Sequence, residues 1–182
     1  MSKIKMMIHF FTIADFEEEE QWLRKQHSRG WKLVQTVIPC FYFFEACEPE
    51  EVIYRLDFKN HTDDSDYRQM FEDYGWEYFN TCMGWLYFRK PLASMESEQE
   101  GEIFSDYESK SRMIEHIIKK RMLPVMAIFC ACVVPQWSTA MSLPRQGIYL
   151  PILSLLFLLY VWLILHCGLK LKRLRSKYEN RM

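Results

Sequence analysis

Two uncharged apolar stretches, residues 122–143 and 148–169, constrain this 182-residue chain more than any other feature of its sequence. A helix rises about 1.5 Å per residue, so each stretch is long enough to cross a hydrocarbon core of roughly 30 Å. Only Pro144-Arg145-Gln146-Gly147 separates them, which predicts a hairpin of two transmembrane helices. Lys119, Lys120 and Arg121 precede the pair, and Lys170, Lys172, Arg173, Arg175 and Lys177 follow it, whereas the turn carries one charge. Lys and Arg are retained on the cytoplasmic side, so the expected location is the cell membrane, with both termini cytoplasmic.

The formal net charge of -1 conceals a strong division. Residues 1–118 hold 13 Lys and Arg against 23 Asp and Glu, while residues 119–182 hold 10 against 1. An acidic domain lacks the cations that displace phosphate counterions, which argues against direct nucleic-acid binding. The basic tail, residues 170–182, is read chiefly as a topology signal, with attraction to anionic lipid as a by-product. Cysteines at 40, 47, 82, 130, 132 and 167 form no Cys-x-x-Cys and accompany no His cluster, so neither a metal site nor a redox motif is expected. Cys40, Cys47 and Cys82 are expected as cytoplasmic thiols, and Cys130 and Cys132 as small packing residues. Residues 6–13 contain His9 and Thr12, lack a cleavage signature and lead into Glu17 to Glu20, so they read as a strand and not as a targeting segment.

The acidic part reads as a duplication, with repeats at 6–45 and 51–90 inside a domain spanning residues 1–91. An ungapped offset of 45 superimposes Gly30-Trp31 on Gly75-Trp76, Ile8 on Ile53, Thr36 on Thr81, and Tyr42-Phe43 on Tyr87-Phe88. Each module reads strand, helix, strand, strand: 6–13, 16–29, 31–37 and 41–46, then 52–58, 63–74, 76–81 and 85–89. The fold class expected is therefore α+β, the modules contributing six strands to one antiparallel sheet carrying two helices. A polar linker at 92–104, a juxtamembrane helix at 105–121 opened by a Ser105 to Glu108 capping box, and the hairpin complete the chain.

Helix signals are clear in the first module. Asp15 is placed to cap with Glu18, acids crowd the first turn and Arg24, Lys25 and Arg29 the last, and Gly30 stands where a left-handed residue ends a helix. The run Glu17 to Glu20 reads as a solvated face with Glu20 pairing to Arg24, and Tyr67, Met70, Phe71 and Tyr74 read as a buried stripe on the second helix. Two helices cover only part of six strands, which leaves room for an open aromatic surface for a ligand or partner, weighed against the slightly favoured reading that the modules pack together and bury these rings. Trp31, Tyr42, Trp76, Trp85 and Tyr87 are the candidate contact residues. Arg55 and Asp57 are candidate polar handles there, with a cross-strand pair on a solvated face as the favoured role. No residue is assigned a catalytic or metal-binding role and no cofactor is expected: His9, His27, His61, His116 and His166 are scattered, with His27 and His61 read as surface residues, and no nucleophile or phosphate-loop motif occurs.

Several segments together resemble a known family. Glu18-Glu19-Glu20-Gln21-Trp22-Leu23, Gly30-Trp31-Lys32-Leu33, Tyr54-Arg55-Leu56-Asp57, Phe71-Glu72-Asp73-Tyr74-Gly75-Trp76-Glu77-Tyr78, Trp85-Leu86-Tyr87-Phe88-Arg89-Lys90 and Ile103-Phe104-Ser105-Asp106-Tyr107-Glu108-Ser109-Lys110 are similar to the bacterial domain-of-unknown-function family 2812, over residues 6 to about 110. The resemblance implies C-terminal membrane spans and a PadR-type transcriptional regulator encoded nearby, a candidate partner, and it carries no catalytic residues. The module order also resembles, in topology alone, gyrase-inhibitor-like domains that bind hydrophobic small molecules. The leading expectation is a non-enzymatic, membrane-anchored cytoplasmic binding and regulatory module that engages a protein or apolar ligand through its aromatic strands. A sensor or accessory subunit for hydrophobic small molecules is the alternative, and an enzyme of unknown class the third.

Overall fold

Strands form where β-branched and aromatic residues alternate, and turns where glycine or a polar cluster interrupts them. The structure, a computed structural model, describes residues 3–58, 65–95, 107–142 and 149–179. His61, the linker beyond Met95, the Ser105 cap and the turn at 144–147 lie outside the described residues. The chain divides into two units, Met1–Ser109 and Lys110–Met182.

In the first unit the order is β1 (Ile4–Ile8), α1 (Phe16–His27), β2 (Trp31–Val37), β3 (Phe41–Ala46), β4 (Val52–Phe58), α2 (Ser65–Asp73), β5 (Glu77–Cys82) and β6 (Trp85–Pro91). The class is α+β, but the single six-stranded sheet expected from the duplication is replaced by two three-stranded antiparallel sheets, β1-β3-β2 and β4-β6-β5. Both sheets pack on α1. It packs Trp22 against Tyr42 and Phe44 of the first sheet, at ring distances of 4.9 and 5.6 Å, and Phe16 against Trp85 of the second, at 5.5 Å. Edge strands β2 and β5 come alongside each other, but the Leu33 carbonyl accepts from the Arg89 guanidinium there in place of a ladder bond.

The two sheets repeat one strand order, with the third strand of each set central, but the offset between them is not constant. A bulge interrupts β2 between Leu33 and Gln35 and β5 between Tyr78 and Asn80, which are 45 apart. The next turn has three residues in the first module (Ile38–Cys40) and two in the second, Met83 and Gly84. Phe41 therefore faces Val37 as Trp85 faces Cys82, and Phe43 faces Gln35 as Tyr87 faces Asn80. Through this register Tyr42 corresponds to Leu86 and Phe43 to Tyr87, correcting the ungapped alignment. In the first strands Ile4, Met6 and Ile8 oppose Glu45, Phe43 and Phe41 as Tyr54, Leu56 and Phe58 oppose Arg89, Tyr87 and Trp85, so Ile8 matches Phe58 and not Ile53.

Gly30 and Gly75 have φ of +82° and +78°, the left-handed conformation that ends each helix. The capping box at Asp15 is not formed. Its carboxylate turns back to accept the Thr12 amide and hydroxyl at 2.8 and 2.6 Å, while its carbonyl receives the Glu19 amide. On α2 only Phe71 is fully inward; Tyr67 is half-buried, and Met70 and Tyr74, expected in the stripe, are exposed because one sheet is all the helix covers. Phe71, Trp76, Leu86 and Phe88 form the core beneath it.

The second unit is helical: α3 (Tyr107–Ile117), α4 (Leu123–Ile128), α5 (Val134–Ser142) and α6 (Tyr149–Glu179). Wide π turns at Ile118–Met122 and Phe129–Val133 join the first three. Each wide turn ends just before a proline, Pro124 or Pro135, whose ring and missing N–H a regular α turn does not accommodate. Phe129 stacks on Phe157 and Tyr160, Trp137 on Phe157, and the Lys110 ammonium lies over Tyr178, so the first apolar stretch runs antiparallel to α6. Cys130 and Cys132 are exposed and do not fill the packing role expected of them. Leu150–Glu179 is a helix long and apolar enough to cross a membrane, with only 11% of its most apolar window buried.

Candidate binding surface

The acidic run opening α1 is where sequence expectation and structure differ most. Glu19 is buried, and its Oε1 accepts hydrogen bonds from Tyr42 (3.0 Å) in one sheet and Tyr87 (2.8 Å) in the other. Glu20 does not pair with Arg24. Its carboxylate receives the Leu56 amide at 2.8 Å and the Arg55 guanidinium at 3.1 Å, satisfying a backbone donor on the unpaired edge of β4. Arg24 instead meets Glu51. The face is thus a seam, because α1 has structure on both sides.

Burial pushes the Glu19 carboxyl up to about 7, with nearby Asp15 adding to the rise and the two tyrosine hydroxyls opposing it. The same environment raises Tyr42 and Tyr87 well above the usual phenol range. His27 is not a surface residue. Its Nδ1 lies 2.8 Å from the Tyr54 hydroxyl, and burial, with Arg89 and Lys32 nearby, lowers it to about 4. Arg89 grips Glu77, holding that carboxyl below its ordinary range, and donates to the Leu33 carbonyl at 3.0 Å, tying the sheets together.

The six candidate contact residues are not gathered on one open face. Tyr42, Tyr87 and Trp76 are buried, and Trp85 is half-buried between the rings of Phe16 and Phe58. Arg55 is half-buried on Glu20, and Asp57, expected beside it on a solvated face, is buried and accepts the Tyr67 hydroxyl at 2.7 Å. Trp31 is half-buried with the Lys5 ammonium 5.1 Å from its ring centre.

The open apolar surface lies elsewhere, on the side of the first sheet turned away from α1. Ile4 (70% exposed), Met6 (51%) and Ile8 (67%) line β1, opposite half-buried Phe43 and Phe41 of β3, and Val37 (42%) continues the face on β2. At its rim Ile38 holds φ +56°, strained for a β-branched side chain, and is itself exposed. Lys32 and Glu45, cross-strand neighbours, close the other end. The signal was present in the sequence as the period-two row Ile4, Met6, Ile8, Phe10, but the row's exposure depends on where α1 sits. Among the described residues no group of three or more His, Cys, Asp or Glu is placed to hold a metal ion.

The open face offers apolar contact area, and the titratable groups that converge, Glu19 with Tyr42 and Tyr87 and His27 with Tyr54, do so at the seam along α1. Residues 15–128, more than half of the chain, match the family described as "Protein of unknown function (DUF2812)". The chain belongs to the DUF2812 family. The DUF2812 match runs from the turn before α1 through both sheets to the end of α4, further into the apolar stretch than residue 110, and β1 lies ahead of it. No curated protein and no solved structure matches the chain.

Proposed function

We propose that this DUF2812 member is a non-enzymatic, membrane-anchored cytoplasmic binding module of regulatory type, and that its contact surface is the open face of the first sheet. The observation carrying this reading is the apolar row Ile4, Met6, Ile8 on an edge strand, exposed among the described residues and continuous with half-buried Phe41 and Phe43 and exposed Val37. Contiguous apolar surface of this kind is unfavourable in water unless a partner uses it. The face is broad and open, which suits a protein contact better than an enclosed small-molecule site.

Anchoring rests on α6, whose apolar window is almost wholly outward-facing, unlike the core helix of a water-soluble domain. The first apolar stretch, helical over its described residues 122–142 and antiparallel to α6, supplies the second leg of a hairpin. The basic residues on either side of the pair set both termini in the cytoplasm. A PadR-type regulator is one candidate protein partner.

Placing a photo-crosslinking residue at Met6 in the full-length protein in its native membrane tests the reading. Irradiation is expected to yield a defined protein adduct that an equivalent probe at exposed Glu72, on α2, does not form. Absence of any adduct at Met6 would overturn it.

A further inference from the structure

The duplication supplies an internal template for what covers the open face. In the second sheet the corresponding face is occupied by α1: Phe16 packs on Trp85 at 5.5 Å, Glu19 accepts from Tyr87 at 2.8 Å, and His27 meets Tyr54 at 2.8 Å, with Leu23 fully buried between them. These four residues, at i, i+3, i+7 and i+11, form one stripe of a twelve-residue helix. Carried through the strand register, Trp85, Tyr87 and Tyr54 become Phe41 and Phe43, which are half-buried, and Ile4, which is exposed.

We propose that the open face of the first sheet is a receptor for an amphipathic α-helix of a partner protein, docked as α1 docks on the second sheet. This rests on the binding-module reading and names the class of partner. The chemistry of the face restricts the helix further. Phe43 stands where Tyr87 donates its hydroxyl, so an acid at the second stripe position would be buried without a donor, and the incoming helix carries an aliphatic or aromatic residue there. Glu45 and Lys32 stand where Arg89 and Glu77 do, inverting the charge order at that end. A basic residue at the fourth position therefore replaces neutral His27.

A defined probe is a labelled synthetic peptide of residues 14–29 carrying Glu19→Leu and His27→Lys, titrated into the full chain in detergent micelles. Saturable binding is expected, weakened at least tenfold by Met6→Lys, an exposed edge-strand change that leaves the melting temperature in place. The unaltered 14–29 peptide at pH 8 is expected to bind at least tenfold more weakly than the probe. Hydrogen exchange on adding the probe should slow across Ile4–Ile8 and Phe41–Ala46. Equal affinity of the two peptides, or indifference to Met6→Lys, would overturn the helix assignment. So would a crosslink from residue 6 to the β1 or β3 strand of a second copy or to a lipid chain. Either of those adducts leaves the face a contact surface, whereas the absence of every adduct removes the broader reading as well.

Discussion

Glu19 and His27 are two buried ionisable groups on one helix, and their linkages to folding have opposite signs. The Glu19 carboxyl has its folded-state value raised from 4.5 to about 7, so the folded state binds this proton more tightly and stability falls as pH rises from 4.5 to 7. The shift corresponds to roughly 3 kcal/mol. His27 is lowered from 6.5 to about 4, so its contribution is present above 6.5 and is lost as pH falls toward 4. Between about 4.5 and 6.5 the slopes oppose, and the native protein should show a nearly flat melting temperature there. Glu19→Gln retains an acceptor for both tyrosines and should abolish the decline above 6.5, leaving a protein that loses stability only on acidification. His27→Gln should expose the reverse slope, with melting temperature falling steadily from pH 4.5 to 7. Thermal melts of the full chain in micelles across pH 4 to 8 read both, and parallel profiles for the two variants would contradict the assignment. A third residue-scale expectation concerns Thr36, whose buried hydroxyl has no hydrogen-bond partner. Thr36→Val removes that uncompensated group and should raise stability by about 1 kcal/mol.

At the scale of elements, the two helix-ending glycines look interchangeable in sequence and are not in structure. Both need positive φ, but a Cβ on Gly30 would lie 3.0 Å from the Cys47 carbonyl oxygen, whereas one on Gly75 meets the Lys90 side chain at 3.5 Å, an ordinary van der Waals contact. Gly30→Ala should therefore destabilise by about 2 kcal/mol and Gly75→Ala by about 1, as measured by denaturant unfolding of the first unit's fluorescence. Element identity and order were legible: β2, β3 and β4 fall on the residues where alternation places them, because that pattern is local. What periodicity could not reveal was the second neighbour of α1. Glu17 to Glu20 reads as solvated when one face of a helix is assumed free, and Glu19 is buried because two sheets close on it. The ungapped repeat failed for a similar reason, since a turn one residue shorter leaves composition unchanged and swaps which aromatic faces which side.

For the molecule as a whole, the charge division is the feature with the widest reach. If the basic flanks set the topology, single cysteines at Ser94 and Ser176 in a cysteine-free background should react with an impermeant maleimide only after the membrane is opened, and one at Gln146 before. Labelling of Ser94 from outside would reverse the orientation and remove the cytoplasmic contact surface with it. The apolar stretches, the acidic-to-basic switch, the duplication and the α+β class were determined by the sequence alone, because hydropathy, charge and period are properties of neighbouring residues. Which aromatics are core and which sheet face stays open was decided only by tertiary structure. Tyr42, Tyr87 and Trp76, readable from sequence as contact surface or as rings buried between modules, became interior, while Ile4, Met6 and Ile8 became the surface, because burial depends on what a distant helix covers.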